Sequence, residues 1–168
     1  ARFQRIPADQ LVHLQRYLER GGPVIGIRTS THAFAYDAAS PLACWNAFGP
    51  RVLGAPWIYH YGHESSTDVT VAPGAEHDPL LEGVAPFHAR SWLYALTPDT
   101  PTLGSFPPRE AHVLLVGTST GPGRGEIASR PRDPVAWTRV DEWGGRVFTT
   151  TLGHPDDFKL PEFRRLLL

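Results

Sequence analysis

Gly144-Gly145-Arg146-Val147-Phe148-Thr149-Thr150-Thr151-Leu152-Gly153-His154-Pro155-Asp156-Asp157-Phe158 is the stretch whose reading decides the fold. Gly144-Gly145 makes a turn, and Arg146 to Thr151 follows as a buried strand. The strand stops at Gly153. Pro155 has no amide to donate to a ladder, so the chain leaves the sheet there and enters a helix. His154 is thereby left at the carboxyl end of a strand, where open α/β sheets bind their ligands.

A second segment has the same layout. Pro23-Val24-Ile25-Gly26-Ile27 is a short apolar run of the kind found in parallel strands covered on both faces. Arg28-Thr29-Ser30-Thr31-His32 follows as a polar turn. A helix precedes it: Pro7 suits a first turn, Leu11, Leu14 and Leu18 share a face, and Gly21-Gly22 supplies the stop. Two strands are thus expected to deliver Arg28, His32 and His154 to one edge of a sheet.

The rest of the chain sets bounds. Its 168 residues fit one domain with a real core, 41% of them are hydrophobic, and the net charge is -1. That balance lacks the basic face nucleic-acid binding needs. No apolar run approaches the roughly 20 residues of a membrane helix. Cys44 is the one cysteine, which excludes a disulfide framework and a cysteine zinc cluster. The chain opens at Ala1 without Met, which leaves room for a removed leader, and the compartment stays open between cytoplasmic and exported. The 17 Pro and 16 Gly cluster in connections, the clearest being a loop from Gly117 to Asp133. Its Gly121-Pro122-Gly123-Arg124-Gly125 lacks the Gly-Lys-Ser/Thr ending of a phosphate loop. Further strands are expected over Asp68–Ala72, Arg90–Leu96 with Trp92 and Tyr94 on one face, His112–Val116 and Val135–Arg139. A short turn or helical piece is expected at Pro79–Gly83, and a closing helix from Pro161 to Leu168 with Phe163, Leu166 and Leu167 as its apolar face. The chain opens on a helix and stops inside one, which reads either as a fragment or as a sheet completed differently.

Taken in succession, these segments resemble the ThuA-like (trehalose-utilisation) family, a branch of the class I glutamine amidotransferase-like superfamily. The resemblance is carried by Gly26-Ile27-Arg28-Thr29-Ser30-Thr31-His32-Ala33-Phe34, Val52-Leu53-Gly54 with His60-Tyr61-Gly62, and Val71-Ala72-Pro73-Gly74. It continues through Asp78-Pro79-Leu80-Leu81-Glu82-Gly83-Val84, Pro134-Val135-Ala136-Trp137-Thr138-Arg139 and Gly145-Arg146-Val147-Phe148. Leu152-Gly153-His154-Pro155-Asp156-Asp157-Phe158 and Pro161-Glu162-Phe163-Arg164-Arg165-Leu166-Leu167-Leu168 close it, so that residues 1–168 read as one ThuA-like domain. The resemblance implies a flavodoxin-like α/β fold, a mostly parallel sheet with helices on both faces, lacking the family's usual N-terminal strand, helix and second strand and the end of the last helix. It also implies a carbohydrate ligand. Two departures stand out. The amidotransferases place a nucleophilic Cys at the tight turn after the strand that Pro23–Ile27 resembles, and here that turn carries Arg28-Thr29. Many ThuA-like sequences have an acidic pair shortly before a Tyr, where this chain has Ser91-Trp92-Leu93-Tyr94.

The candidate catalytic residues are His154, His32 and His60, the histidines within family-like motifs. They suit acid/base work at the sheet's carboxyl edge. The same three are candidate ligands of a divalent metal such as zinc, because neutral imidazoles from separate loops can hold one with an open position. Each can instead satisfy loop backbone groups. Arg28, His63, Glu64 and Asp156 are candidate substrate contacts. Arg28 presents a fork suited to a carboxylate or a sugar hydroxyl, or pairs with Asp156 or Asp157. The two aspartates also suit capping of the following helix. Trp45, Trp57 and Trp92 are a candidate sugar-stacking surface or ordinary packing. The expected partner is a small sugar-like molecule; neither nucleic acid nor a membrane is expected, and a homo-oligomer is left open. Two functions follow: an enzyme acting on a sugar or oxidised sugar derivative, and a non-catalytic carbohydrate-binding or interaction module of a larger protein.

Overall fold

The computed structural model describes residues 2–96, 106–121 and 132–168. It begins with helix α1 (Ala8–Glu19) and strand β1 (Val24–Ile27). Two short strands, β2 (Tyr59–His60) and β5 (Tyr94–Ala95), flank β3 (Ser66–Val71) and β4 (Phe87–Ala89) in the sequence. The long strands β6 (His112–Thr120) and β7 (Arg132–Val140) follow, then β8 (Arg146–Thr150) and helix α2 (Pro161–Leu166). The main sheet has six strands in the order β1-β8-β7-β6-β3-β4, and β2 and β5 form a separate pair.

The α/β class expected from the sequence is present, but the expected mostly parallel sheet is not. Only β1 and β8 run parallel; β8-β7, β7-β6, β6-β3 and β3-β4 are all antiparallel. The physical reason lies in the connections. β7 and β8 are joined by the tight turn at Asp141–Gly145, which can only return the chain antiparallel to itself. β1 is separated from β8 by more than a hundred residues and can align with it. The sheet is therefore mixed, with β1 at one edge and one helix packed on each face. Leu18 of α1 packs with Val147, while Phe163 and Leu166 of α2 join the larger core that Phe148 packs against. Val147 and Phe148 are consecutive in β8, so they point to opposite faces.

Two other expectations change. The strand expected over Arg90–Leu96 shrinks to Tyr94–Ala95, because the Ser91 amide bonds to a side chain and not to a ladder. The loop expected from Gly117 to Asp133 is strand at both ends: Thr118, Ser119 and Thr120 pair with Ser66–Asp68, and Arg132-Asp133 open β7. The middle of that loop, 122–131, lies outside the described residues. Gly117 is needed within β6, since a Cβ there would come within 2.5 Å of Thr67 and 2.6 Å of Val135. Pro134 sits in β7 where its register with β6 is irregular, a place that tolerates a missing donor.

Loop 49–53 is bound to the sheet, and this holds β1 in place. The Leu53 carbonyl accepts from Trp137 Nε1 and Thr149 Oγ1, both at 2.9 Å, and Leu53 fills the space left by Gly26. The carboxyl ends of β1 and β8 are therefore a rigid platform. Among the described residues no helix is long and apolar enough to cross a membrane.

Candidate functional site

Asp157 is fully buried and organises the platform. Its Oδ1 accepts the Arg90 amide at 2.7 Å and the Ser91 amide at 3.3 Å. Its Oδ2 accepts the Ser91 hydroxyl at 2.5 Å and the Gly153 and His154 amides, each at 3.0 Å. Those two amides are shared with Ser91 Oγ, also at 3.0 Å. Ser91 Oγ in turn accepts from Arg28 Nη1 at 2.7 Å. A buried polar group is stable only when its partners are present, and here they come from three remote segments. One carboxyl and one hydroxyl thus tie the end of β1, the bend after β4 and the end of β8.

Arg28 stands at the tight turn after β1 with a φ of +47°, a left-handed conformation rare outside glycine. A single turn of 3-10 helix, Arg28–His32, begins there. The Thr31 hydroxyl donates to the Arg28 carbonyl at 3.2 Å and lies 3.2 Å from His32 Nδ1. With its proton given to the carbonyl, that hydroxyl accepts from Nδ1–H, which leaves Nε2 as the acceptor of the His32 ring. Burial pushes His32 down to about 4, aided by the charges of Arg2 and Arg28. Its imidazole is neutral at pH 7.

Aromatic rings complete the site. Pairing of β2 with β5 sets His60 opposite Tyr94. Trp92 lies 4.7 Å from the His60 ring and 4.6 Å from the His63 ring, and those two histidines are 4.9 Å apart. Trp57 lies 5.1 Å from His32. The Arg28 guanidinium sits over Trp92 at 5.5 Å and over Tyr94 at 5.7 Å, within cation–π range. Burial raises the Tyr94 phenol above its ordinary value, opposed by the Arg28 charge. An inner cleft of about 90 Å³ is lined by Arg2, Arg28, His32, Trp57, His60 and Trp92, among others. An outer cleft of about 340 Å³, lined by Trp57, Tyr59, His60, Gly62 and His63, shares Trp57 and His60 with it.

The structure therefore gathers Arg28, His32, His60 and His63 of the residues singled out in the sequence. His154 takes a different part. Its amide joins the Asp157 network, its Nδ1 accepts the Asp156 amide at 3.1 Å, and it does not line either cleft. Asp156 is exposed and bonds Lys159 Nζ at 2.6 Å, which holds its carboxyl below the usual range; it neither caps the following turn nor pairs with Arg28. Glu64 is exposed and outside both clefts. Trp57 and Trp92 line the site, whereas Trp45 packs against the α1 core. Cys44 is exposed in a separate groove with Gln15 and Trp143, so the turn after β1 has no sulfur. Among the described residues no group of three or more His, Cys, Asp or Glu side chains is placed to hold a metal ion. His32, His60 and His154 are not such a group. Sequence reasoning missed Arg2, Phe3, Ser91 and the role of Asp157. Phe3 reaches the site because its amide bonds the His32 carbonyl, placing its ring 5.0 Å from the imidazole.

Comparison with known proteins gives one match. The family model described as ThuA, trehalose utilisation, matches residues 3–168. No curated protein and no solved structure matches the chain. The chain belongs to the trehalose-utilisation family, which ties it in general terms to carbohydrate utilisation.

Proposed function

We propose that this member of the trehalose-utilisation family takes a sugar or an oxidised sugar derivative into the two joined clefts and acts on it through His32 and His60. The observation that carries this reading is the convergence of Arg28, His32, His60, Trp57 and Trp92 on one concavity at the carboxyl end of β1. Flat aromatic faces suit the apolar faces of a sugar ring, and a small number of fixed polar groups orient it. Arg28, anchored through Ser91 to Asp157, is a donor to a sugar oxygen. His32 Nε2 is an acceptor for a hydroxyl proton or for the proton on a carbon beside a carbonyl, and His60, which lines the same cleft, is the partner that returns it. His154 is a positioning residue through its backbone amide.

One observation favours a second reading, a carbohydrate-binding module without turnover. A base held near 4 is a weak proton acceptor at pH 7, although it remains a good hydrogen-bond acceptor. The two readings separate in one experiment. Purified protein and its His32→Ala and His60→Ala variants are mixed with trehalose and with a keto derivative of it, with binding followed by calorimetry and products by mass spectrometry. Turnover in the wild type that is lost in both variants supports the enzyme. Binding without product, weakened in both, supports the module. Binding and turnover unaffected by either change would sink both.

A further inference from the structure

We infer that the ligand of this site is a sugar acid, with its carboxylate against Arg28 and Arg2 in the inner cleft and its ring on the aromatic walls of the outer one. The inference rests on the sugar reading of the same clefts and names the class of sugar.

The argument is one of charge. The inner cleft is lined by two guanidinium groups, two imidazoles and aromatic rings, and no carboxyl group lines either cleft among the described residues. Arg28, which is partly buried, and Arg2, which is exposed, form no ion pair among the described residues, and neither do several surface arginines. The Asp157 carboxyl, linked to Arg28 through the Ser91 hydroxyl, already accepts five hydrogen bonds. Among the described residues Arg28 donates one of its five N–H groups, to Ser91, and it lies over Trp92 and Tyr94. A partly desolvated cation without a counter-charge is unfavourable, and an anionic ligand removes that cost where a neutral sugar does not.

A guanidinium fork takes a carboxylate or a phosphate, and the small inner cleft favours the smaller carboxylate. A guanidinium fork matches a planar carboxylate in two parallel bonds. The inner cleft, about 90 Å³, is small, and His32 is neutral beside it, so it adds an acceptor and not a third positive charge. Trp57 and His60 belong to both clefts, so a group attached to the carboxylate passes directly onto the outer aromatic wall.

The test is calorimetric titration of the whole chain with glucose, glucuronate and glucose 6-phosphate at pH 7 and fixed ionic strength. Glucuronate is expected to bind at least about tenfold more tightly than glucose, a charge-assisted preference. Arg28→Gln should bring that ratio close to one, Arg28→Lys should keep part of it, and Arg2→Gln should lower it by less. Arg2 is exposed, so its variant reads the charge without touching the core, and unfolding midpoints of all three check the fold. Equal binding of glucose and glucuronate, or a preference that survives in Arg28→Gln, overturns the sugar-acid assignment and leaves the sugar reading standing. Tighter binding of glucose 6-phosphate than of glucuronate overturns it in favour of a phosphate. Glucuronate binding that depends on Arg28 but is indifferent to Trp57→Ala, which removes the aromatic wall shared by the two clefts, retains the charge and overturns the sugar reading. Failure of all three ligands to bind overturns both.

Discussion

Two buried aspartates each hold a turn in this molecule, and they do so in opposite ways. Asp141, at the β7–β8 turn, accepts the Trp143 amide at 3.0 Å and the Gly145 amide at 2.8 Å with one oxygen, all within its own five-residue turn. Asp157, beyond the far end of β8, accepts five bonds, three of them from residues more than sixty positions away. The first is a local device that any hairpin could carry. The second also holds the Gly153 and His154 amides just before it, but it reaches far beyond its own turn, and the 3-10 turn that contains it, Asp157–Lys159, has no side-chain cap. Its effect is to bring Arg28 and the Ser91–Tyr94 segment to the same place. Organisation that crosses the chain lies at the end of the sheet where the proposed site is, and organisation that stays within a turn lies at the other end.

The sharpest way to break this contrast is to remove both carboxyls. Asp157→Ala leaves buried amides and a buried hydroxyl without their acceptor and is expected to cost about 3–5 kcal/mol. Asp141→Ala removes two bonds in a turn near solvent and is expected to cost about 1–2 kcal/mol. Urea unfolding measures both. Ligand binding should be lost with Asp157 and retained with Asp141. Similar costs, or binding lost in both, would abolish the distinction between the two ends.

The glycines beside the two aspartates repeat the comparison at smaller scale. Gly144 has a φ of +82°, and a Cβ there would meet nothing within 4 Å. Gly153 has a φ of +128°, and its Cβ would lie 2.6 Å from Ile27 Cγ2. Gly144→Ala is expected to cost about 1 kcal/mol, from backbone strain alone. Gly153→Ala adds overlap with β1 and is expected to cost about 2–4 kcal/mol. A crystal structure or amide spectra of Gly153→Ala should show the turn at Arg28 displaced.

The same contrast explains what could be read from the sequence. β1, β8, α1 and α2 announce themselves by apolar runs, Gly stops and Pro starts, because those signals are local. Arg28 and His32 are legible as polar residues after a strand, and His60 only through the family resemblance. The mixed sheet is not, because strand direction follows from which segments pair across the chain and not from any one segment. Ser91 and Asp157 are not legible as partners either: a serine after an arginine and the second aspartate of a pair carry no mark of being buried together. The Asp156-Asp157 pair reads as capping or as a partner for Arg28, but burial separates the two; Asp156 faces Lys159 and solvent while Asp157 is fully enclosed. Arg2 and Phe3 reach the site by a bridge between Gln4 and Phe34, for which short-range patterns give no signal.

His32 offers a smaller test, one that only the Asp157 end of the sheet should pass. Its folded value of about 4 lies below its ordinary 6.5, so between those values the unfolded chain binds more protons than the folded one. Stability therefore rises with pH across that window. The contribution is complete above about pH 6.5 and lost as pH falls to about 4. Allowing for the partial solvent access of the ring, it amounts to about 1–2 kcal/mol. Unfolding curves at pH 7 and pH 4.5 should differ by less in His32→Gln than in the wild type. An unchanged difference would mean that His32 is not held neutral by its surroundings.

The finest prediction separates strain from function at one residue. A left-handed Arg28 is unfavourable by about 1 kcal/mol relative to glycine, which adopts that φ freely. Against this, Arg28→Gly loses one hydrogen bond to Ser91 and the stacking over Trp92 and Tyr94. These terms oppose each other, and the net change in stability is expected to lie within about 1 kcal/mol of zero. Ligand affinity should nevertheless fall about tenfold or more. At the Asp141 end a left-handed position is filled by Gly144, the residue that adopts it without strain. Among the described residues only the carboxyl end of β1 keeps a long charged side chain in that conformation, and strain of this kind persists where the surrounding structure over-determines it. A large loss of stability with affinity intact would reverse the assignment and make Arg28 a structural residue, like the turn glycines at the other end of the sheet.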